Sequence, residues 1–434
     1  MNQVREITLE ALMALEREEI YSGVLLSGVL TKYDYLEQGE KAFIKRLFEG
    51  TTEQRIYLDY CIDRFSKTPV RKMKPLIRSL IRMSAYQILF MDSVPDAAAV
   101  NEAVKICRKR SFGSLSGFVN AVLRNLSREK AQIPLPDKKK DPAFFLSVRY
   151  SVPLWMAEYF LKLYGPEGAE SLLAALLEVH PVSVRLRSDA SPERIQRFLE
   201  DAAAAGVRMT QSPIYDHIYL AEHLEGVASL PGYEEGLFTV QDASSALSVT
   251  AAGIRPGDLV VDACAAPGGK SLLACELTGP DGHVISRDRS DDKCEKILEN
   301  AARLGFRQLE AQVFDATESD PALKGKADVL ILDVPCSGLG ILGKKRDIKY
   351  RITPESMEEV ALLQERIVDA SWEMVRPGGI LLYSTCTIGP RENETQVRRI
   401  LEKYPFEAVT EGRQFLPGTD PCDGFFYQVL RRKG

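Results

Sequence analysis

The chain has 434 residues, 45% of them hydrophobic and 27% charged, with a formal net charge of −5. That length exceeds one ordinary hydrophobic core, so two or three domains are expected. No apolar run approaches the roughly 18 residues that cross a bilayer, and Met1-Asn2-Gln3-Val4-Arg5-Glu6 leads into no signal-peptide core; a cytoplasmic protein with no membrane partner is expected.

Eight cysteines, at 61, 107, 264, 275, 294, 336, 386 and 422, form no Cys-x-x-Cys pair, and the four histidines, at 180, 217, 223 and 283, have no ligand spacing. Neither a metal site nor a disulfide scaffold is expected. Charge is unevenly spread: residues 1–150 hold 25 Lys+Arg against 18 Asp+Glu, a net of +7 that leaves −12 for the rest. A basic first part is the footprint of a nucleic-acid partner.

From Val4 to about Arg128 apolar residues recur at three and four, as in Ile7, Leu9, Leu12 and Leu15. The segment reads as all-helical, cut into six or seven helices by turn signals near Gly39, Pro69, Pro75, Pro95, Gly113 and Gly117. Lys67, Arg71, Lys74, Arg78 and Arg82 follow at helical intervals with no acid among them. With Pro75 opening a helix, Arg78 and Arg82 share a face beside Lys74, either as a solvated basic face or as phosphate contacts.

Proline and charge from Ile133 to Pro142 make a poor core, so a linker is placed at 131–143. This divides the chain into a helical domain (1–130), a small α+β domain (144–235) and an α/β domain (236–434). Within the middle part, Trp155 to Val179 reads as helix and Val182 to Arg187 as strand. Ser191-Pro192 caps a helix ending near Gly206, and short strands follow at Val207–Thr210 and Ile214–Leu220. From Leu237 strands and helices alternate, as in a largely parallel, doubly wound sheet.

Leu259, Val260 and Val261 run as a buried strand into Asp262, then Pro267-Gly268-Gly269 bends the chain and Ser271 to Ala274 begins a helix. Helix N–H groups after a glycine turn suit a nucleotide-like cofactor. A Walker phosphate loop is disfavoured because Cys264 stands where it needs glycine, and the Gly-x-Gly-x-x-Gly fingerprint is absent. Three further strands deliver Asp288, Asp315 and Asp333 to the same sheet edge, where a carboxylate can accept from ribose hydroxyls. Two strand ends also carry thiols, Cys336 and Cys386, that open onto one crevice; the remaining cysteines read as small buried hydrophobes, and Cys264 as a packing or backbone contact.

Three motifs make the pattern specific: Asp-Ala-Cys-Ala-Ala-Pro-Gly-Gly-Lys (262–270), Asp-Val-Pro-Cys-Ser-Gly-Leu-Gly (333–340) and Ser-Thr-Cys-Thr-Ile-Gly-Pro-Arg-Glu-Asn-Glu (384–394). Together they resemble the RNA cytosine-C5 methyltransferase family. Ala-Val-Asn-Glu-Ala-Val (99–104) and Gly-Phe-Val-Asn-Ala-Val-Leu-Arg (117–124) resemble the NusB fold. The resemblance implies an all-α NusB-like domain, a Rossmann-like methyltransferase core and S-adenosyl-L-methionine as methyl donor. It also implies 16S ribosomal RNA as partner; separately, a monomeric chain is expected.

Carried over by resemblance, Cys264, Ala265, Ala266, Pro267, Gly268, Gly269 and Lys270 hold the methionine end of the donor. Asp288 takes the ribose and Asp315 lies by the adenine. Asp333 closes the site, Cys386 is the nucleophile and Cys336 assists product release. The chemistry accounts for two thiols: cytosine C5 is a poor nucleophile until a thiolate adds at C6. A run with Lys344, Lys345, Arg346, Lys349 and Arg351 follows the Cys336 turn and is expected to contact RNA backbone. Val334, Tyr350 and Thr387 depart from the family's usual residues. A methyltransferase of another RNA, of protein or of a small molecule is the first rival expectation. A non-catalytic RNA-binding factor is the second.

Overall fold

Side chains at i, i+3, i+4 and i+7, such as the apolar Ile44, Leu47 and Phe48 with Thr51, bury one face of an amphipathic helix in the first part of the chain. In the computed structural model, which describes residues 2–18, 20–178, 181–224 and 226–434, this pattern gives seven α-helices before residue 130. They are α1 (Asn2–Arg17), α2 (Ser22–Lys32), α3 (Gln38–Glu53), α4 (Arg55–Asp63), α5 (Pro75–Phe90), α6 (Asp96–Lys109) and α7 (Ser116–Glu129). The central α5 is buried at Ile77, Leu80, Ile81, Ser84 and Ile88. It approaches α3 so closely that a Cβ on Gly50 would meet the Tyr86 ring at 2.0 Å, so only glycine fits there.

Two more helices follow, α8 (Pro142–Arg149) and α9 (Leu154–Leu176). The α9 helix is interrupted where Gly165, at φ +68°, precedes Pro166, because proline lacks the N–H that the preceding turn would bind. Val179, expected as the end of this helix, lies outside the described residues. The compact units cut the chain after Leu177, not within 131–143: one comprises residues 1–177 with 342–351, the other 178–341 with 352–434. Helices α8 and α9 thus join the helical unit, and the Tyr60 and Phe144 rings meet edge-on at 6.1 Å where α8 meets α4.

Two members of the basic stripe, Arg78 and Arg82, turn toward other helices, while Lys67, Arg71 and Lys74 are exposed. Arg82 donates to Asp59 of α4 through two 2.6 Å bonds and pairs with Glu16 of α1 at 2.7 Å; Arg78 also pairs with Glu16, at 2.6 Å. Lys74 lies 5.3 Å from the centroid of the Phe112 ring. Arg78 and Arg82, expected as phosphate contacts, instead have their charge compensated by carboxylates from other helices. Arg82→Ala leaves Asp59 without its partner, and since the Arg82 side chain is only 11% exposed, a loss of about 2 kcal/mol of stability is expected. Urea unfolding of the full chain measures it.

Segment 342–351 is likewise anchored in the helical unit. The buried Asp347 accepts from the Ser22 N–H (3.0 Å) and hydroxyl (2.6 Å), and Arg346 pairs with Glu53. Arg351 pairs with Asp347 and donates to the Ile20 carbonyl. Tyr350 donates to the Glu53 carbonyl at 2.7 Å beneath the Arg55 guanidinium, 3.8 Å from the ring centroid. Lys349 is fully buried, and desolvation lowers its ammonium to about 7. The expectation of an RNA-facing loop therefore needs correction for Arg346, Lys349 and Arg351, which hold the segment in place; Lys344 and Lys345 are exposed.

The second unit begins with a four-stranded antiparallel sheet of β1 (Val182–Leu186), β2 (Arg208–Gln211), β3 (Ile218–Glu222) and β4 (Phe238–Val240), in the order β2-β3-β1-β4. Its helix α10 (Pro192–Ala204) is capped by the Ser191 hydroxyl, which accepts from the Arg194 N–H. Because β4 pairs with β1 through Val184↔Val240, this sheet extends past the expected boundary at 235.

Helix α11 (Ala243–Ala251) leads into the alternating part: β5 (Leu259–Asp262), α12 (Gly269–Thr278), β6 (His283–Asp288), α13 (Asp291–Arg303), β7 (Leu309–Val313) and β8 (Ala327–Asp333). Then come α14 (Pro354–Ser371), β9 (Val375–Thr385), α15 (Glu394–Lys403), β10 (Phe406–Ala408), β11 (Arg413–Phe415) and β12 (Phe425–Arg432). Strand order is β10-β12-β9-β8-β5-β6-β7, with β11 also on β12. Strands β5 to β9 run parallel, and β12 joins antiparallel to β9. The sheet is Rossmann-like and mixed, and ligands of such sheets bind beyond the carboxyl ends of the parallel strands.

Candidate active site

Strand β5 ends in Asp262, whose carboxylate is completely buried and accepts from the Ser271 hydroxyl at 2.7 Å, stitching the strand to α12. Burial pushes this carboxyl up to about 7. Between them Gly268 takes φ +103°, and a Cβ there would lie 3.3 Å from Ile297. The turn therefore needs glycine for both its backbone and its space. Cys264 is also pushed far up by burial. With little thiolate available it is a poor nucleophile, in keeping with a packing role.

A cavity of ≈ 220 Å³ opens beside this turn, lined in part by Cys264, Asp288, Phe314, Asp315, Pro335 and Leu363. Asp288, at the end of β6, lies 3.2 Å from the Lys293 ammonium. Asp315, two residues beyond β7, accepts from the Thr317 hydroxyl (2.7 Å) and N–H (2.9 Å), which hold its carboxyl below the usual range. Carboxylates beside the Phe314 ring and aliphatic Leu363 fit a nucleoside, its diol at an acid and its base between apolar groups.

Across the β8–β9 ladder Asp333 pairs with Ser384. Its carboxylate accepts from the Ser384 hydroxyl at 2.8 Å and the Lys270 ammonium at 2.7 Å. Asp333 thus joins the glycine turn to the strand that ends beside Cys386. Just beyond these strands the Cys336 and Cys386 sulfurs lie 3.1 Å apart, and none of the eight cysteines is in a disulfide. The hydrogen bond to Cys386, then burial, holds the Cys336 thiol well above its ordinary range.

The two thiol loops are tied by residues whose motif was evident but whose role was not. Glu392, fully buried, accepts from the Ser337 N–H at 2.8 Å and from its hydroxyl, fixing the residue after Cys336. Asn393 accepts from the Thr385 hydroxyl and donates to the Thr387 carbonyl at 3.2 Å, bracketing Cys386. Gly340 packs against Gly424, and a Cβ on it would fall 1.9 Å from the Gly424 carbonyl. The only signal in sequence was a polar Arg-Glu-Asn-Glu run following a thiol.

A Rossmann-like sheet with a cavity whose lining fits a nucleoside, and paired thiols beyond its carboxyl edge, is the arrangement of an S-adenosyl-L-methionine-dependent methyltransferase. Residues 249–431 match the family model described as 16S rRNA methyltransferase RsmB/F, and residues 2–128 match the NusB family. The Bacillus subtilis protein named "Probable ribosomal RNA small subunit methyltransferase B" is 33% identical over 450 residues, covering 99% of each chain. An Escherichia coli ribosomal RNA small subunit methyltransferase B is 30% identical with all of both chains covered. Among solved structures, that of PH0851 has the same fold, with TM-score 0.82, 23% identity and coverage of 100% of this chain and 99% of that one. NSun6 from Pyrococcus horikoshii with SFG matches 64% of this chain and 97% of its own, at TM-score 0.57 and 21% identity. The chain belongs to the RsmB/F family of 16S rRNA methyltransferases.

Proposed function

We propose that this protein methylates C5 of a cytosine in 16S ribosomal RNA through a covalent adduct with Cys386. The observation that carries the reading is the pair of sulfurs 3.1 Å apart beyond adjacent parallel strands, since a methyltransferase that only aligned donor and acceptor would need neither. Asp288 would hold the ribose diol, Asp315 would lie by the adenine, and Cys264 to Lys270 would hold the methionine end. S-adenosyl-L-methionine, when bound, supplies an electrophilic methyl group on sulfonium.

Cys386 as thiolate adds to C6, and the electron pair displaced from the C5–C6 double bond makes C5 nucleophilic. Asp333 stands at N3, where a proton or hydrogen bond offsets the charge that develops on the ring. After C5 gains its methyl, loss of the C5 proton and breakage of the C6–S bond restore the aromatic ring and the thiolate, and Cys336 assists that release. A paired target base is first unstacked into the site. Functionally the chain reads as a helical RNA-binding domain, a small α+β domain and a catalytic domain, acting as a monomer on RNA that Lys344 and Lys345 contact.

Incubation with methyl donor and unmodified 16S RNA, followed by mapping of modified bases, tests the reaction. The expected product is 5-methylcytosine at a defined position. A methyl group on another base or another atom would overturn the reading.

A further inference from the structure

Helices α6 and α7 pack through Val100, Ala103, Val122 and Leu126, all buried. On the outer side of that contact Ala97 and Ala121 face solvent, and their small side chains leave an open trough of ≈ 420 Å³ between the helices. Its polar rim is formed by Asn101, Arg124, Asn125 and Arg128. The volume falls within the roughly 300–1,000 Å³ of ligand-binding clefts.

Both arginines are exposed, and both are oriented by amides. Arg124 donates to the Asn120 side-chain oxygen at 3.0 Å, and Arg128 donates to that of Asn125. Among the described residues neither has a carboxylate partner, whereas Arg78 and Arg82 do. On the neighbouring helix, Asp96 is engaged with Lys130 and the Ser127 hydroxyl, and Glu102 with Lys105. Two uncompensated guanidiniums, one turn apart on a single helix and fronted by Asn101, match the repeat of charge along a flexible polyanion. The planar groups can bind phosphate in bidentate fashion or stack on an unpaired base.

We propose that this trough, and not the paired Arg78 and Arg82, holds an unpaired stretch of the RNA substrate by its phosphodiester backbone. This rests on the reading that RNA is the substrate, and it assigns the contact to a site outside the catalytic unit.

The test is the affinity of the full-length Arg124→Ala/Arg128→Ala variant for unmodified 16S RNA and for a labelled single-stranded oligonucleotide across a salt series, without methyl donor. Each lost phosphate contact on single-stranded RNA lowers the slope of log affinity against log salt by about 0.7. The expected result is a slope shallower by about 1.4, several-fold weaker binding at low salt and an unchanged melting temperature. Arg124→Lys/Arg128→Lys should retain most of the slope, and Ala121→Glu, which puts bulk and negative charge into the trough, should weaken binding without touching either arginine.

Unchanged affinity and slope in the alanine and Ala121→Glu variants would overturn the proposal and leave the trough to a protein partner. Weaker binding at an unchanged slope would also overturn it, because a phosphate contact must release counterions. Affinity is read here apart from methylation, so a wild-type protein that binds RNA through the trough yet forms no 5-methylcytosine would refute the reaction alone.

Discussion

Cys386→Ala is expected to abolish methyl transfer to unmodified 16S RNA, lowering turnover by about 10⁴-fold or more, as removal of a covalent nucleophile does. Binding of S-adenosyl-L-methionine should be essentially unchanged. The cavity beside the glycine turn is lined from β5 to β8 and α14, and Cys386 is not part of that lining. Methyl incorporation measures the first quantity and calorimetric titration of the donor the second. Full turnover by the variant would remove the covalent mechanism, and a parallel collapse of donor binding would show that the substitution had damaged the fold.

Cys336→Ala is expected to do something different: to accumulate a stable protein–RNA adduct, seen as a band of reduced mobility on a denaturing gel, with multiple-turnover rate strongly reduced. The proposed division of labour rests on two thiols at one site. The two sulfurs share a hydrogen bond, which with burial holds the Cys336 thiol above its ordinary range, so the thiols titrate as a coupled pair. An alanine variant that turns over at the wild-type rate with no adduct would contradict the release role.

The placement of acids and thiols at one sheet edge was legible in sequence because its signals are local. An apolar strand running into an acid or a thiol places that side chain at the end of a parallel strand, and the structure brings Asp333, Cys336 and Cys386 together beyond β8 and β9. The basic segments were not legible in the same way. Helical spacing correctly puts Arg78 and Arg82 on one face of α5, but it cannot show that Glu16 and Asp59, from two other helices, face them. The carboxylates that pair with Arg346 and Arg351 differ in the same respect: Asp347 is a near neighbour, while Glu53 lies 293 residues away. Burial of Lys349 and the socket that Glu53 and Ser151 make for Tyr350 depend on equally distant chain. Glu392 shows the converse: its motif was plain, yet its task of holding Ser337, 55 residues upstream, is visible only when both loops are in place.

The central claim is that one particular sulfur carries the base during transfer. Its most direct test is to digest the adduct trapped by Cys336→Ala and locate the modified residue by mass spectrometry. The account predicts a cytosine-derived nucleotide, bearing an added methyl group, on the peptide that contains Cys386. A nucleotide attached to any other residue would contradict it.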